Sequence, residues 1–214
     1  MLILVLAASL VAAAGCTTAT SREKDPEALT KRAEEKQKAG ELQAAVADLN
    51  RALELNPAFT RALVRRAALK VELKDFDGAR ADYDKAIEIG PQEPTAYYGR
   101  AILRRRQGDM DGALKDLDQA ASLAPNMPQV FLTRGAIRAA SRDVREGISD
   151  LSRACELDTT LYRAFLWRAY AYYAIKDTDR ALVDLKYVAE HAKDLMLVQQ
   201  ANALTKEILL APAQ

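Results

Sequence analysis

Histidine is almost missing from this sequence. His191 is the only one, and the only cysteines are Cys16 and Cys155. A histidine-based triad or a multi-histidine metal site is therefore hard to assemble within the chain, and two cysteines make a poor disulfide framework. No clustered nucleophile and base occurs, nor any phosphate loop of the form G-x-x-x-x-G-K-[ST]. Neither sign of charge prevails: 31 Lys plus Arg against 30 Asp plus Glu leave a net charge of +1. No global field favours nucleic acid or a bulk anionic surface. Nine glycines and seven prolines are few, and most stand at segment ends, which suits helices joined by short turns. These absences point to a non-enzymatic protein without a cofactor and without a nucleic-acid partner.

What is present is apolar, charged and periodic. Hydrophobic residues make up 50% and charged residues 29%, enough for a soluble core and too apolar for a disordered chain. Pro57, Pro91 and Pro125 are 34 residues apart. The same period aligns Ala45, Ala79, Ala113, Gly147 and Ala181, and likewise Leu49, Tyr83, Leu117, Leu151 and Leu185. A third register holds Ala33, Ala67, Ala101, Gly135 and Ala169. A fixed period of this size marks an array of repeated supersecondary units.

Within each unit, apolar residues recur at three and four spacing, as in Leu42, Ala45, Val46, Leu49, Ala52 and Leu53. That pattern predicts first helices over 26–39, 60–73, 94–107, 128–141 and 162–175, and second helices over 42–55, 76–89, 110–123, 144–157 and 178–191. Small residues at fixed registers let paired helices approach closely. Glu41, Asp75, Asp109, Asp143 and Asp177 precede the second helices and are expected to cap them. The segments DFDG and DMDG lack the spaced oxygen ligands of a calcium loop.

Two charged registers run in phase with the core. Arg32, Arg66, Arg100, Arg134 and Arg168 fall on the first helices, and Asp48, Asp82, Asp116, Asp150 and Asp184 follow 16 residues later on the second. A planar guanidinium suits a two-pronged carboxylate pair. The ten residues read as a structural ion-pair ladder, within a unit or between neighbours, rather than as an anion-binding site. Arg104, Arg105 and Arg106 read as a solvated face with one arginine turned inward. Cys155 reads as a packed small residue and His191 as a surface or helix-end group.

The 34-residue period, the small-residue registers and the closing prolines resemble the tetratricopeptide repeat family over about 168 residues. That resemblance implies an all-α fold, a right-handed α-solenoid of five helix pairs (26–59, 60–93, 94–127, 128–161 and 162–193). Residues 194–214 hold a capping helix and tail, with Leu195, Val198, Leu204 and Ile208 on its packed face. It also implies a concave groove, lined by first-helix residues, that binds a protein segment. The carried-over registers place Thr30, Glu27, Arg61, Tyr98, Arg105, Arg163, Leu166, Tyr170 and Tyr173 there, and the ligand is expected to be apolar and acidic. The alternative for Tyr170 and Tyr173 is simple packing against the capping helix. Asn50, Asn56, Asn126 and Asn202 all lie off the first helices, which argues against the family's clamp for a chaperone tail. Stacking through open solenoid ends allows a homodimer.

Residues 1–15, MLILVLAASLVAAAG, are apolar and uncharged, and too short for the roughly 20 residues of a membrane span. Ala13-Ala14-Gly15-Cys16 resembles a bacterial lipoprotein box. The resemblance implies cleavage before Cys16, lipid on that cysteine as the only covalent group, and residues 16–25 as a lipidated start and linker. Thr17 resembles an outer-membrane address facing the periplasm. Similar lipoproteins help assemble envelope machinery, pilus secretins included. The same run also fits a soluble exported protein, or a cytosolic scaffold that keeps an apolar tail.

Overall fold

The computed structural model describes residues 25–141 and 143–210. Among them are eleven α-helices and no strand. The first helices of the five pairs are α1 (Pro26–Lys38), α3 (Thr60–Glu72), α5 (Pro94–Arg106), α7 (Pro128–Ala140) and α9 (Tyr162–Ala174). The second helices are α2 (Leu42–Leu55), α4 (Phe76–Ile89), α6 (Met110–Leu123), α8 (Val144–Leu157) and α10 (Thr178–His191), followed by α11 (Leu195–Leu210). The expected signal run, Cys16 and all of the expected linker but Asp25 lie outside the described residues.

The first helices stop one residue before the expected ends, and the turns explain why. Gly40 and Gly108 take φ of +79° and +84° just before α2 and α6. At the same place Lys74 and Lys176 take φ of 66° and 63°. A left-handed residue ends a helix, and only glycine adopts it without steric cost. Lys74→Gly and Lys176→Gly should each raise stability by up to about 1 kcal/mol, read as a higher urea midpoint. An unchanged midpoint in both would show that the lysines carry no backbone strain.

Three of the five expected acidic caps form. Asp75, Asp109 and Asp177 accept from the backbone N–H of Gly78, Gly112 and Arg180 at 3.0, 2.9 and 3.3 Å. Glu41 and Asp143 make no side-chain cap bond. For Glu41 the extra methylene moves the carboxylate off the short reach that an Asp cap uses.

The described helices fall into two compact units, one ending at Leu103 and one starting at Arg104. In the first, α1 packs on α2, α3 on α4, and α2 on α3. Ala33, Leu49, Ala52, Leu63 and Ala86 form its interior, with Tyr83, Ala79 and Leu103 in an adjoining cluster. In the second, α7 packs on α8, α8 on α9, α9 on α10, and α11 on both α9 and α10. The small-residue registers sit where backbones meet: Ala45, Ala79, Ala113 and Ala181 are fully buried. The pair α7–α8 carries glycine in both registers. A Cβ on Gly147 would lie 2.6 Å from the Ala139 amide nitrogen, and one on Gly135 would lie 2.9 Å from the Gly147 carbonyl oxygen.

Buried Ala201, Leu204 and Ile208 hold α11 in place. Leu195, expected on that face, is 69% exposed. The reason is its place at the helix start, where Asp194 caps: its Oδ1 accepts from the Met196 N–H at 2.9 Å. The turn entering the helix thereby points Leu195 outward and brings Leu197 in.

Candidate functional site

The charged registers take a regular geometry. Arg32, Arg66, Arg134 and Arg168 each donate through Nε and Nη2 to both oxygens of Asp48, Asp82, Asp150 and Asp184, at 2.6–2.9 Å. These four aspartates are buried. The third donor reaches the preceding helix pair: Nη1 of Arg66, Arg134 and Arg168 bonds Asn50, Asp118 and Ser152 at 2.8, 2.9 and 3.2 Å. Arg100 bonds Asp84 in the same way at 2.7 Å. Side chains so held are 14–19% exposed, whereas Arg32, on the first described helix, is 44% exposed.

A second cationic register reaches four of the five aspartates. Lys36, Lys70, Arg104 and Arg138 approach Asp48, Asp82, Asp116 and Asp150 at 2.7–2.8 Å. These four stand one helical turn after the ladder arginines, and their common phase was the signal available in the sequence. Tyr172 takes the place in the fifth pair, and the guanidiniums of Arg168 and Arg180 lie 5.9 and 5.6 Å from its ring centre. The ladder therefore spends its charges on itself.

Burial pushes the Asp48 carboxyl up, but the hydrogen bonds from Arg32 and Lys36 outweigh it and hold the group below its ordinary value of 3.8. A carboxylate with a depressed folded value stabilises fully above the unfolded value and loses that contribution as pH falls through the folded one. Acid titration of stability below pH ~4 should therefore fall more steeply in wild type than in Asp48→Asn. Parallel curves would remove Asp48 from the acid response.

The open charge lies elsewhere. In the second unit a groove of about 640 Å³ runs between α7, α9 and α11. Among the residues it brings together are Arg105, Arg163, Leu166 and Tyr170 of the groove registers. Ala139 lines it too, and α11 adds Met196, Leu197 and Gln200. Trp167, absent from the expected set, stands beside Tyr170 with ring centres 6.1 Å apart, and the two are 43% and 40% exposed. As the only tryptophan in the sequence, one turn after Arg163, it was there to be noticed. Arg105 and Arg163 have no ion-pair partner among the described residues. Of the arginine run, Arg104 instead pairs with Asp116 and donates to the Gly112 carbonyl at 3.1 Å.

The matching positions of the first unit are self-paired. Arg61 lies 3.4 Å from Glu27 and Arg65 3.0 Å from Glu34, and Gln37 donates to Glu72 at 2.6 Å. Tyr98 is half-buried. Thr30 leaves the expected wall: it is 1% exposed, and its hydroxyl donates to the Pro26 carbonyl within its own helix. Tyr173 also leaves, because its hydroxyl donates to Glu207 of α11 at 3.0 Å, which raises its own pKa. Of the two tyrosines, then, Tyr170 faces the groove and Tyr173 the final helix.

Burial pushes the Cys155 thiol up to about 12, so it stays protonated and unreactive at neutral pH. His191 stacks on Tyr187 with centres 4.5 Å apart. Among the described residues no group of His, Cys, Asp and Glu is arranged to hold a metal, and no helix is long and apolar enough to cross a membrane.

Sequence profiles described as tetratricopeptide repeat match residues 30–94, 69–128 and 163–193. Among curated proteins, none matches the sequence. Many solved structures share the fold. YrrB, described as a repeat protein with an unusual peptide-binding site, is 21% identical with a TM-score of 0.65, over 88% of this chain and 97% of its own. PilF of Pseudomonas aeruginosa is 17% identical with a TM-score of 0.74, over 88% of each chain. A thermophilic repeat protein of Thermus thermophilus is 23% identical with a TM-score of 0.66, over 84% of this chain and 98% of its own.

Proposed function

Because its helix pairs and the matching profiles, which span more than half of the sequence, make the chain a member of the tetratricopeptide repeat family, we propose that it is a protein-binding adaptor of the bacterial cell envelope, anchored through lipid on Cys16. The groove of the second unit carries the binding part of this reading. There an exposed tryptophan and tyrosine lose apolar surface to water, and two cations without partners stand beside them; a ligand that covers the rings can also answer the charges. Arginine and large aromatics supply contact area with a polar tip, which is why they anchor interfaces. YrrB, with its peptide-binding site, and PilF share the fold and are compatible with this use.

The anchor rests on the sequence around Cys16. Acyl chains add about 0.8 kcal/mol per buried methylene, so two or more hold a protein durably on a membrane. The linker would then keep the repeats near the outer-membrane surface, facing the periplasm. The reading is tested in host cells by clickable palmitate on wild type and Cys16→Ser, with membrane fractionation. Label on wild type alone supports the anchor. No label on either, with full-length soluble protein, moves the adaptor to the cytosol. A photo-crosslinking amino acid in place of Tyr170 tests the binding part: a protease-sensitive adduct in the envelope fraction supports it, and a nuclease-sensitive one opposes it.

A further inference from the structure

Resting on the protein-binding reading, we infer that the second unit's groove takes an acidic segment bearing an aromatic or long aliphatic side chain, and that α11 forms one wall of that site. The charge balance decides the first part. Arg105 and Arg163 contribute two positive charges without partners among the described residues, and the only anionic side chain lining the groove is Asp194. That carboxylate already accepts from the N–H of Met196 at the start of α11. The site is left short of negative charge, and a carboxylate answers a guanidinium better than any neutral acceptor. In the first unit, by contrast, Glu27 and Glu34 already stand against Arg61 and Arg65.

The apolar lining decides the second part. Trp167 and Tyr170 rise from α9, and Met196 faces them from α11 at 68% exposure. Leu166 and Leu197 form the floor and flank. An unbranched thioether adapts to the shape of an incoming ring, and sulfur–aromatic contact is favourable. A ligand with only carboxylates would leave these groups wet, and one with only apolar groups would leave both guanidiniums unanswered. The final helix thus has two faces at work: Ala201, Leu204 and Ile208 close the fold, while Met196 and Gln200 meet the ligand.

The test is selection from a random displayed peptide library on the intact protein, followed by titration of the enriched peptides with Trp167 fluorescence, the only tryptophan signal in the chain. Enrichment of peptides pairing Asp or Glu with Phe, Trp or Leu is expected, with affinity that falls as salt is added. Arg105→Glu/Arg163→Glu should weaken them about 30-fold or more, and Met196→Glu about 5-fold. Arg51→Glu, on a second helix outside the groove registers, should leave binding unchanged. All these side chains are exposed, so an unaltered melting curve separates lost binding from lost fold. Enriched peptides that are basic or neutral, or that ignore Arg105, Arg163 and Met196, would overturn the inference while leaving protein binding intact. No enriched peptide at all, with anionic phosphatidylglycerol vesicles or a second copy of the chain occupying the groove instead, would overturn both.

Discussion

Asp150→Ala is expected to lower the melting temperature by roughly 6–20 °C, the equivalent of about 3–5 kcal/mol at some 2–4 °C per kcal/mol for a protein of this size. The magnitude follows from what the substitution strands. Asp150 is 6% exposed and receives Nε and Nη2 of Arg134 together with Nη1 of Arg138. Without it, two guanidiniums with 14% and 24% exposed side chains are left beside a small void to share the half-exposed Asp118 carboxylate as their one remaining counter-charge. An exposed pair such as Arg51–Glu54 should cost only about 0–1 kcal/mol when broken. The cause is testable separately from the loss. Replacing Arg134 and Arg138 by Met in the Asp150→Ala background should restore much of the stability, because removing a whole buried cluster is far cheaper than orphaning its charges. A melting temperature unchanged by Asp150→Ala would mean that the ladder contributes no net stability.

Gly147→Leu should be at least as damaging, and by another route. In an ordinary helix, replacing glycine gains about 1 kcal/mol of propensity. Here the first added carbon would lie 2.6 Å from the Ala139 nitrogen and 2.9 Å from its Cα. These are backbone atoms of α7 and cannot rotate aside. Even Gly147→Ala should destabilise, since overpacking typically costs about 1–3 kcal/mol. The leucine variant must separate α7 from α8, and its melting curve should lose amplitude or broaden as the fourth pair opens. Gly99→Ala is a useful contrast. The atoms nearest its added carbon belong to Tyr83, a side chain, although a buried one. A Gly147→Leu protein as stable as wild type would show that α7 and α8 tolerate a wider spacing.

Much of this is legible in the sequence because every copy of the unit repeats the same demands. A position that must be small to admit a neighbouring backbone is small five times over. The ladder stands out by the same logic, and its second cation is found by extending the search one turn past Arg32, Arg66, Arg100 and Arg134. What escapes is what differs from one copy to the next. Tyr173 and Glu207 are one period apart, but α11 carries Asn202 where the five first helices carry the ladder arginine, so the charged register does not mark it as their continuation. Spacing alone puts Leu195 on the packed face, yet the Asp194 cap turns it outward. By register Thr30 is a polar wall residue, but a hydroxyl bonded to its own helix packs like a small apolar group. Tyr170 and Trp167 show the converse, since only the placement of α11 gives them a groove to face.

The guanidinium contacts also bear on how such an array can change its length. Arg66, Arg134 and Arg168 each hold a carboxylate within their own pair, whereas the acceptor for Nη1 comes from the pair before: Asn50, Asp118 and Ser152 serve them, and Asp84 serves Arg100. That acceptor tolerates amide, carboxylate or hydroxyl. A tandem duplication of one 34-residue unit therefore arrives with both halves of the joint, a plug on its first helix and a socket on its second. Copies inserted in phase would meet their neighbours without any new invention at the seam. An insertion of any other length would leave a guanidinium facing the wrong side of a helix.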